Sequence, residues 1–156
     1  GNKAPLYRSG FPVDINYSFL KTLSLHSIIC LNPELIEGST LNKFCIDEGI
    51  ALRCVDIGEN REPFVEMNHA AVNNVINEAT DLSNGPLLIM CVSGKHRTGC
   101  VVACIRKQQR WSLTAIIDEF AKFLGNQTKF TPLLDIQFIE TFDPNGVSEQ
   151  HEKEIV

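Results

Sequence analysis

Residues 86–101 have the sequence Pro86-Leu-Leu-Ile-Met-Cys91-Val-Ser-Gly-Lys-His-Arg97-Thr-Gly-Cys-Val101. The apolar run before Cys91 is typical of a buried strand in a parallel sheet, and residues 99–111 have a helix-like pattern. Cys91 is therefore expected where a strand ends, on a loop that closes on a helix N-terminus. Backbone N–H groups in such a loop bind an anion, and the helix dipole favours the thiolate, the nucleophilic form of cysteine.

Arg97 follows Cys91 by six residues, at the turn from loop to helix. A guanidinium there can bind two phosphate oxygens in a fork, and the hydroxyl of Thr98 can donate to the cysteine sulfur. Gly94 permits a backbone conformation that a β-carbon would hinder. The sequence therefore predicts a phosphate-binding loop with a nucleophile at its floor. The predicted binding residues are Val92, Ser93, Gly94, Lys95, His96 and Arg97.

This spacing resembles the Cys-x5-Arg-Ser/Thr signature of the protein tyrosine phosphatase superfamily. Further strings make the chain similar to the plant-and-fungal atypical dual-specificity phosphatases over residues 6–143. They include Tyr7-Arg-Ser-Gly-Phe-Pro12, Ser27-Ile-Ile-Cys-Leu31, Glu59-Asn-Arg-Glu-Pro-Phe64 and Gly94-Lys-His-Arg-Thr-Gly-Cys100. The resemblance implies a cysteine-dependent phosphatase that needs no metal or other cofactor. It also implies a dual-specificity phosphatase-like fold.

Two positions depart from the pattern of this family. Met90 stands where a histidine usually precedes the cysteine, and Gly58 stands where relatives commonly carry an acidic residue. The candidates for a general acid that protonates the leaving group are therefore Asp56, Glu59 and Glu62, and sequence alone does not separate them. A displaced acid suits cleavage of a phosphoanhydride, because phosphate leaves readily as an anion. The resemblance points the same way, since the family includes phosphatases that remove the β-phosphate of 5-diphosphoinositol phosphates.

A highly phosphorylated substrate would require further cations around the loop. Arg61 is the leading candidate from the loop that carries the acid. Arg8, which could instead pair with a carboxylate, and Lys129 are further candidates, and Asn60 is a candidate polar contact. The cations at positions 106, 107 and 110 are predicted to form a solvated helix face.

Composition narrows the class of protein. The chain has 156 residues, 44% hydrophobic and 21% charged, which suits one soluble domain. Its net charge of −5 argues against a nucleic-acid partner, and no apolar run is long enough to span a membrane. Six cysteines without metal-ligand spacing indicate a reducing compartment, so we expect the cytosol, with the nucleus as an additional location. A redox role for the cysteines other than Cys91 is left open.

Periodicity predicts an α/β fold with three layers, α/β/α, around a mostly parallel sheet of four to five strands. Strands are expected at residues 27–31, 50–57 and 87–91, with an edge strand at 7–10. Helices are expected at 16–23, 39–48, 63–81, 99–110, 112–123 and 132–142. The predicted domain covers residues 6–143, and residues 144–156 form a polar tail.

Three functions remain open from the sequence. The first is a phosphatase of inositol pyrophosphates that acts through a phosphocysteine. The second is a tyrosine or dual-specificity phosphatase acting on a phosphoprotein. The third is a weakly catalytic phosphate-binding scaffold that associates with related phosphatase-like subunits.

Overall fold

The computed structural model describes residues 4–125 and 132–145. Within these residues the chain has two compact units. The first consists of residues 4–56 and 77–98, and the second of residues 57–76 and the described residues from 99 onward. The predicted domain boundary at residue 143 stays a prediction, because residues 146–156 lie outside the described part.

The first unit is built on a parallel sheet of four strands. They are β1 (Leu6–Ser9), β2 (Ser27–Cys30), β3 (Ala51–Cys54) and β4 (Leu87–Met90), in the order β1-β4-β2-β3. The two central strands, with the sequences SIIC and LLIM, are buried along their whole length. Burial on both faces explains why these strands have continuous apolar sequences rather than alternating ones. The predicted α/β class with a parallel sheet is confirmed.

Helices α1 (Asp14–Thr22) and α2 (Leu41–Glu48) pack in this unit, α2 against β3 and α1 against α2. Leu20, Leu41 and Phe44 join Ile28 and Leu88 in one apolar cluster. Because all four strands are parallel, their carboxyl ends lie at one edge of the sheet. Cys30 pairs in register with both Met90 and Cys54 at this edge. The segment after each strand therefore starts close to the segment after its neighbour.

The second unit is helical. Helices α3 (His69–Thr80) and α4 (Arg97–Gln108) each have residues in both units. Helices α5 (Leu113–Leu124) and α6 (Leu133–Thr141) lie wholly in the second unit. The prediction that α3 begins at residue 63 is wrong. The Asn68 side chain accepts a hydrogen bond from the Ala71 N–H, so the helix starts after this cap. Strand β3 is also shorter than predicted and ends at Cys54.

Arg106 and Lys107 at the end of α4 have structural partners, which corrects the prediction of a solvated face for these two residues, whereas Arg110 is exposed. The guanidinium of Arg106 donates to both carboxylate oxygens of Glu119 at 2.9 Å. Lys107 Nζ donates to the carbonyls of Ile139, Glu140 and Phe142 at 2.6–2.9 Å. These three carbonyls end α6, so Lys107 caps that helix.

Across residues 4–125 and 132–145, no helix is both long and apolar enough to cross a membrane. The same residues contain no group of three or more His, Cys, Asp or Glu side chains arranged to hold a metal ion.

Candidate active site

Cys91 directly follows β4, and Arg97 is the first residue of α4. Residues 91–97 therefore form a loop between a central strand and a helix N-terminus, as the sequence predicts. Cys91 is 3% exposed and Arg97 is half-buried. A helix of twelve residues carries a partial positive charge at its start, where an anion is stabilised.

The backbone N–H of Val92, the residue after the nucleophile, points towards the turn after β2. The Val92 N–H donates to Oδ1 of Asn32 at 3.1 Å. The Val92 N–H already has a buried partner in this structure, and its predicted contact with the substrate stays a prediction. The Lys95 N–H faces Ser93 Oγ at 3.3 Å, a longer contact at an exposed position. The predicted binding groups of residues 93–97 remain together in the loop.

Arg97 is held on one side by the turn that follows β2. Its NH1 donates to the Leu31 carbonyl at 3.3 Å and lies 3.6 Å from Oε1 of Glu34. Its side chain is only 14% exposed, whereas that of Glu34 is 63% exposed. These contacts fix the guanidinium beside the loop, as a phosphate-binding arginine requires.

Arg8 contacts the loop through its backbone. The NH2 group of Arg8 donates to the Gly94 carbonyl at 2.8 Å. This hydrogen bond gives Arg8 a role in supporting the loop, and its predicted contact with the substrate stays a prediction. The Phe11 N–H adds a second bond, to the Val92 carbonyl at 3.1 Å.

Gly94 is required by both its backbone angle and its surroundings. Its φ is +70°, and a Cβ there would lie 2.5 Å from the Gly10 nitrogen and from the Ser9 carbonyl carbon. Such distances are far inside van der Waals contact, so any side chain would push the loop away from the segment after β1. The sequence analysis singled out this glycine, and the structure supplies the reason.

Thr98 is fully buried, and its hydroxyl makes no hydrogen bond within the described part of the chain. The predicted hydrogen bond from Thr98 to the Cys91 sulfur is therefore not formed in this structure. Met90, which replaces the usual histidine, is also fully buried and belongs to the apolar cluster beneath the sheet edge. The side chain at position 90 is apolar and therefore makes no hydrogen bond to the loop.

The loop of residues 58–61 belongs to the second unit. Arg61 Nε and NH2 both donate to Glu59 Oε2, at 3.0 and 2.7 Å, so two predicted site residues pair with each other. This hydrogen bond raises the pKa of Arg61, whose side chain is 75% exposed. Gly58 has a φ of +76°, and a Cβ there would lie 2.7 Å from the Glu66 carbonyl oxygen. The position where relatives carry an acid is therefore closed to a side chain in this backbone.

Asn60 has an internal role in its loop, and its predicted contact with the substrate stays a prediction. Its Oδ1 accepts from the N–H groups of Glu66 and Met67, at 3.1 and 3.0 Å, and its Nδ2 donates to Asp135 at 3.0 Å. This set of contacts uses the amide to hold the loop in shape.

The remaining predicted site residues lie in different parts of the chain. Asp56 is exposed and follows β3 at the carboxyl edge of the sheet, in the same unit as Cys91. Glu62, the other acid candidate, is exposed in the second unit. Lys95 and His96 are half-buried in the phosphate loop itself. Lys129 lies outside the described residues.

Asn32 and Glu34 contact the phosphate loop, although no sequence motif predicts it. Both lie just after β2, and Asn32 is 2% exposed. A signal was present, because a polar residue that directly follows a buried central strand is placed at the edge where Cys91 lies. Its contacts could not be inferred without the strand order.

The cysteines other than Cys91 differ in burial. All six are free thiols. Burial raises the pKa of Cys30 and of Cys45 to about 11, and that of Cys104 to about 12. Partial burial also raises the pKa of Cys54, although this residue reaches the surface. These four thiols therefore stay protonated and weakly nucleophilic at neutral pH.

The known proteins that this chain is similar to are phosphatases. The model of the tyrosine phosphatase family matches residues 2–156. Inositol diphosphatase DSP1 of Oryza sativa subsp. japonica is 41% identical over 88% of this chain and 60% of its own length. Inositol diphosphatase SIW14 of Saccharomyces cerevisiae is 42% identical over 91% of this chain and 50% of its own length. A putative tyrosine-protein phosphatase, OCA1 of Mycosarcoma maydis, is 40% identical over 88% of this chain and 85% of its own length.

The crystal structure of the SIW14 core catalytic domain in complex with citrate matches this structure with a TM-score of 0.80 and 38% identity. The match covers 98% of this chain and 90% of the crystallised one. The chain thus spans between half and two thirds of the length of the two inositol diphosphatases.

Proposed function

Since this chain belongs to the tyrosine phosphatase family, we propose that it is a cysteine phosphatase that removes the β-phosphate of inositol pyrophosphates. One observation carries the proposal: Cys91, at the end of β4, and Arg97, at the start of α4, flank a loop of the phosphate-binding type in a chain about 40% identical to inositol diphosphatases. No metal or other cofactor enters the proposed reaction.

The reaction proceeds in two steps. The Cys91 thiolate attacks the β-phosphorus, an S–P bond forms, and the P–O bond of the anhydride breaks, so the inositol phosphate leaves with the bridging oxygen. The N–H groups of residues 93–97 and the Arg97 guanidinium stabilise the charge on the equatorial oxygens. Water then attacks the phosphocysteine, which releases inorganic phosphate and restores the thiolate.

The loop of residues 58–61 supports an anhydride as the substrate. Gly58 leaves no room for an acidic side chain at the place where relatives commonly have one, and Glu59 is paired with Arg61. An alkyl or phenol leaving group needs protonation, whereas a phosphate leaving group does not. Displacement of the acid therefore slows the cleavage of an anhydride less than it slows the cleavage of a phosphomonoester. Asp56, in the same unit as Cys91, is the first acid to test.

A phosphoprotein substrate is the second candidate. The 40% identity to a putative tyrosine-protein phosphatase, over 85% of that protein's length, favours it. Phosphotyrosine would enter the same loop, and the reaction would form the same phosphocysteine.

A substrate panel separates these functions. Purified protein and its Cys91→Ser variant are assayed against a 5-diphosphoinositol phosphate, a phosphotyrosyl peptide and an aryl phosphate. We expect kcat/KM to be largest for the diphosphoinositol phosphate and to vanish in the variant. A preference for the peptide would replace the first function by the second. Tight binding without turnover by the unmodified protein would support a phosphate-binding scaffold.

Location and partners complete the proposal. We place the protein in the cytosol, with the nucleus as an additional location, and the six free thiols support a reducing compartment. Imaging of the tagged full-length protein tests this. Association with related phosphatase-like subunits stays a prediction, which co-purification followed by size-exclusion chromatography would check.

A further inference from the structure

Asn32 has a buried side chain between the two ends of the phosphate loop. It is the second residue after β2 and is 2% exposed. Its Oδ1 accepts the Val92 N–H at 3.1 Å, next to the nucleophile. Its Nδ2 donates to Glu34 Oε1 at 2.7 Å. One short side chain therefore joins a loop amide to a carboxylate.

These two partners require an amide in this orientation. A backbone N–H only donates, and an ionised carboxylate only accepts, so the residue between them must accept on one side and donate on the other. Asparagine does both, because its carbonyl oxygen accepts and its amide nitrogen donates. An aspartate would place two acceptors side by side, and an alanine would leave the buried Val92 N–H without a partner, which is unfavourable.

The chain of contacts continues to Arg97. The Glu34 oxygen that accepts from Asn32 also lies 3.6 Å from Arg97 NH1, and the Leu31 carbonyl accepts from the same NH1 at 3.3 Å. On the other side, the Leu31 N–H donates to the Met90 carbonyl at 2.8 Å, just before the nucleophile. The turn after β2 thus contacts the start and the end of the phosphate loop.

We propose that Asn32 is a positioning residue that fixes the spacing between Cys91 and Arg97 before the substrate binds. The proposal rests on the roles given above to Cys91 and Arg97. Asn32 does not touch the reacting atoms. It holds the first loop amide on one side and, through Glu34, the guanidinium on the other, so both meet the phosphoryl group without rearrangement. Preorganisation of this kind lowers the barrier because the geometry is already set.

Two variants test the proposal in the full chain. Asn32→Ala removes both hydrogen bonds without adding charge. The double variant Asn32→Asp/Glu34→Gln reverses the direction of the hydrogen bond between positions 32 and 34, keeps an acceptor for the Val92 N–H, and keeps the net charge of the pair. Asn84→Ala is the matched control, because Asn84 Nδ2 donates to the Glu78 carbonyl at 3.0 Å before β4, at the opposite edge of the sheet.

Four quantities are measured for each variant. They are kcat and KM on an aryl phosphate, the Kd of inorganic phosphate from its protection of Cys91 against iodoacetamide, and the melting temperature. We expect Asn32→Ala to lower kcat by about 10- to 100-fold and to raise the phosphate Kd by about tenfold, because loop and guanidinium lose their fixed spacing. The double variant should recover to within about threefold of the wild-type values, since the coupled pair is restored. Asn84→Ala should leave kcat and Kd unchanged.

A purely structural role would lower the melting temperature and leave kcat and Kd of the folded fraction near wild type, and that result would overturn the proposal. A double variant as impaired as Asn32→Ala would also overturn it. Where Asn32→Ala does not fold, Asn32→Asp takes its place with the same expected loss. The readouts use aryl phosphate and free phosphate, so a wild-type preference for phosphopeptides would refute the proposed substrate and leave this comparison intact.

Discussion

At the scale of single residues, the local sequence determines which groups are present, and distant residues determine what each group contacts. Arg97 illustrates this. Its spacing from Cys91 identifies it as a phosphate ligand, but its contacts at Leu31 and Glu34 come from a turn more than sixty residues earlier. A guanidinium held in this way can bind oxygens in a fixed plane, which a flexible cation cannot do.

Removing this guanidinium should abolish most turnover. We expect Arg97→Ala to lower kcat on an aryl phosphate by about 10³-fold, because the charge that develops on the phosphoryl oxygens loses its main stabilising group. Lys43→Ala is the control, since it removes one exposed positive charge from α2. Steady-state kinetics of both variants provide the measurement, and near wild-type rates for Arg97→Ala would exclude the proposed role.

Arg61 should affect substrate choice rather than the chemical step. It is exposed and forms a salt bridge with Glu59, which lies two residues earlier in the chain. We expect Arg61→Ala to lower kcat/KM for a diphosphoinositol phosphate by about tenfold and for an aryl phosphate by less than about twofold, since only the first substrate carries phosphates beyond the loop. Arg53→Ala, which removes an exposed arginine paired with Glu78, is the control. Equal losses on both substrates would remove Arg61 from the substrate contacts.

At the scale of elements, the phosphate loop depends on the segment that follows β1. Arg8 and Phe11 bond the loop carbonyls, and Gly10 approaches the loop backbone closely, with a hypothetical Cβ 3.1 Å from the Val92 carbonyl oxygen. The loop is therefore supported by a neighbouring strand end rather than by its own sequence. This explains why a short glycine-containing loop can keep one conformation.

Gly94→Ala should disrupt the packing of the phosphate loop against Ser9 and Gly10. Gly49→Ala is a matched control, because Gly49 has nearly the same φ, +68°, but has open space where its Cβ would lie. Both variants carry the strain of a left-handed alanine, about 1–2 kcal/mol. We expect only Gly94→Ala to lose most activity, as measured by kcat on an aryl phosphate with the melting temperature in parallel. Equal behaviour of the two variants would mean that the contact with Ser9 and Gly10 does not matter.

Helix α6 should depend on Lys107. Its ammonium donates to three carbonyls at the end of this helix. We expect Lys107→Met, which keeps the apolar stem, to lower the free energy of unfolding by about 1–3 kcal/mol, because two partly buried acceptors and one exposed acceptor lose their donor. Lys122→Met, at an exposed position of α5, should change it little. Urea denaturation measures both, and indistinguishable midpoints would refute the cap.

At the scale of the whole molecule, the buried thiols make the free energy of unfolding depend on pH in the alkaline range. The pKa of Cys104 rises from 9.0 to about 12 in the folded state, mainly because burial disfavours the thiolate. The stability that this shift provides is fully present below pH 9. It is lost as the pH rises from 9 toward 12, because the unfolded chain releases its proton first.

Replacing Cys104 should therefore flatten the alkaline limb of the stability curve. One proton corresponds to about 1.4 kcal/mol per pH unit. We expect the unfolding free energy of Cys104→Ala to fall less steeply between pH 9 and 11, by about that amount per unit, whatever its value at neutral pH. Urea denaturation at several pH values supplies the curves. Parallel curves for the variant and the wild type would contradict the linkage.

The linear sequence was sufficient for the strand, loop and helix around Cys91 and for the α/β class, because short-range patterns encode them. Continuous apolar runs identify β2 and β4, and a cysteine six residues before an arginine identifies the phosphate loop. The sequence also identified Gly94 and Gly58 as unusual positions. It misplaced the start of α3, because one hydrogen bond at the Asn68 cap outweighs apolar periodicity over residues 63–68.

Only the tertiary structure determined which polar groups meet. The strand order β1-β4-β2-β3 brings the segments after β1 and β2 to either side of the phosphate loop, and no local pattern contains that order. It gave Val92 and Arg8 partners within the protein that no local pattern predicts, and it revealed the contacts of Asn32 and Glu34. The physical reason is that hydrogen bonds form between groups that are close in space, whereas a sequence motif records only groups that are close along the chain.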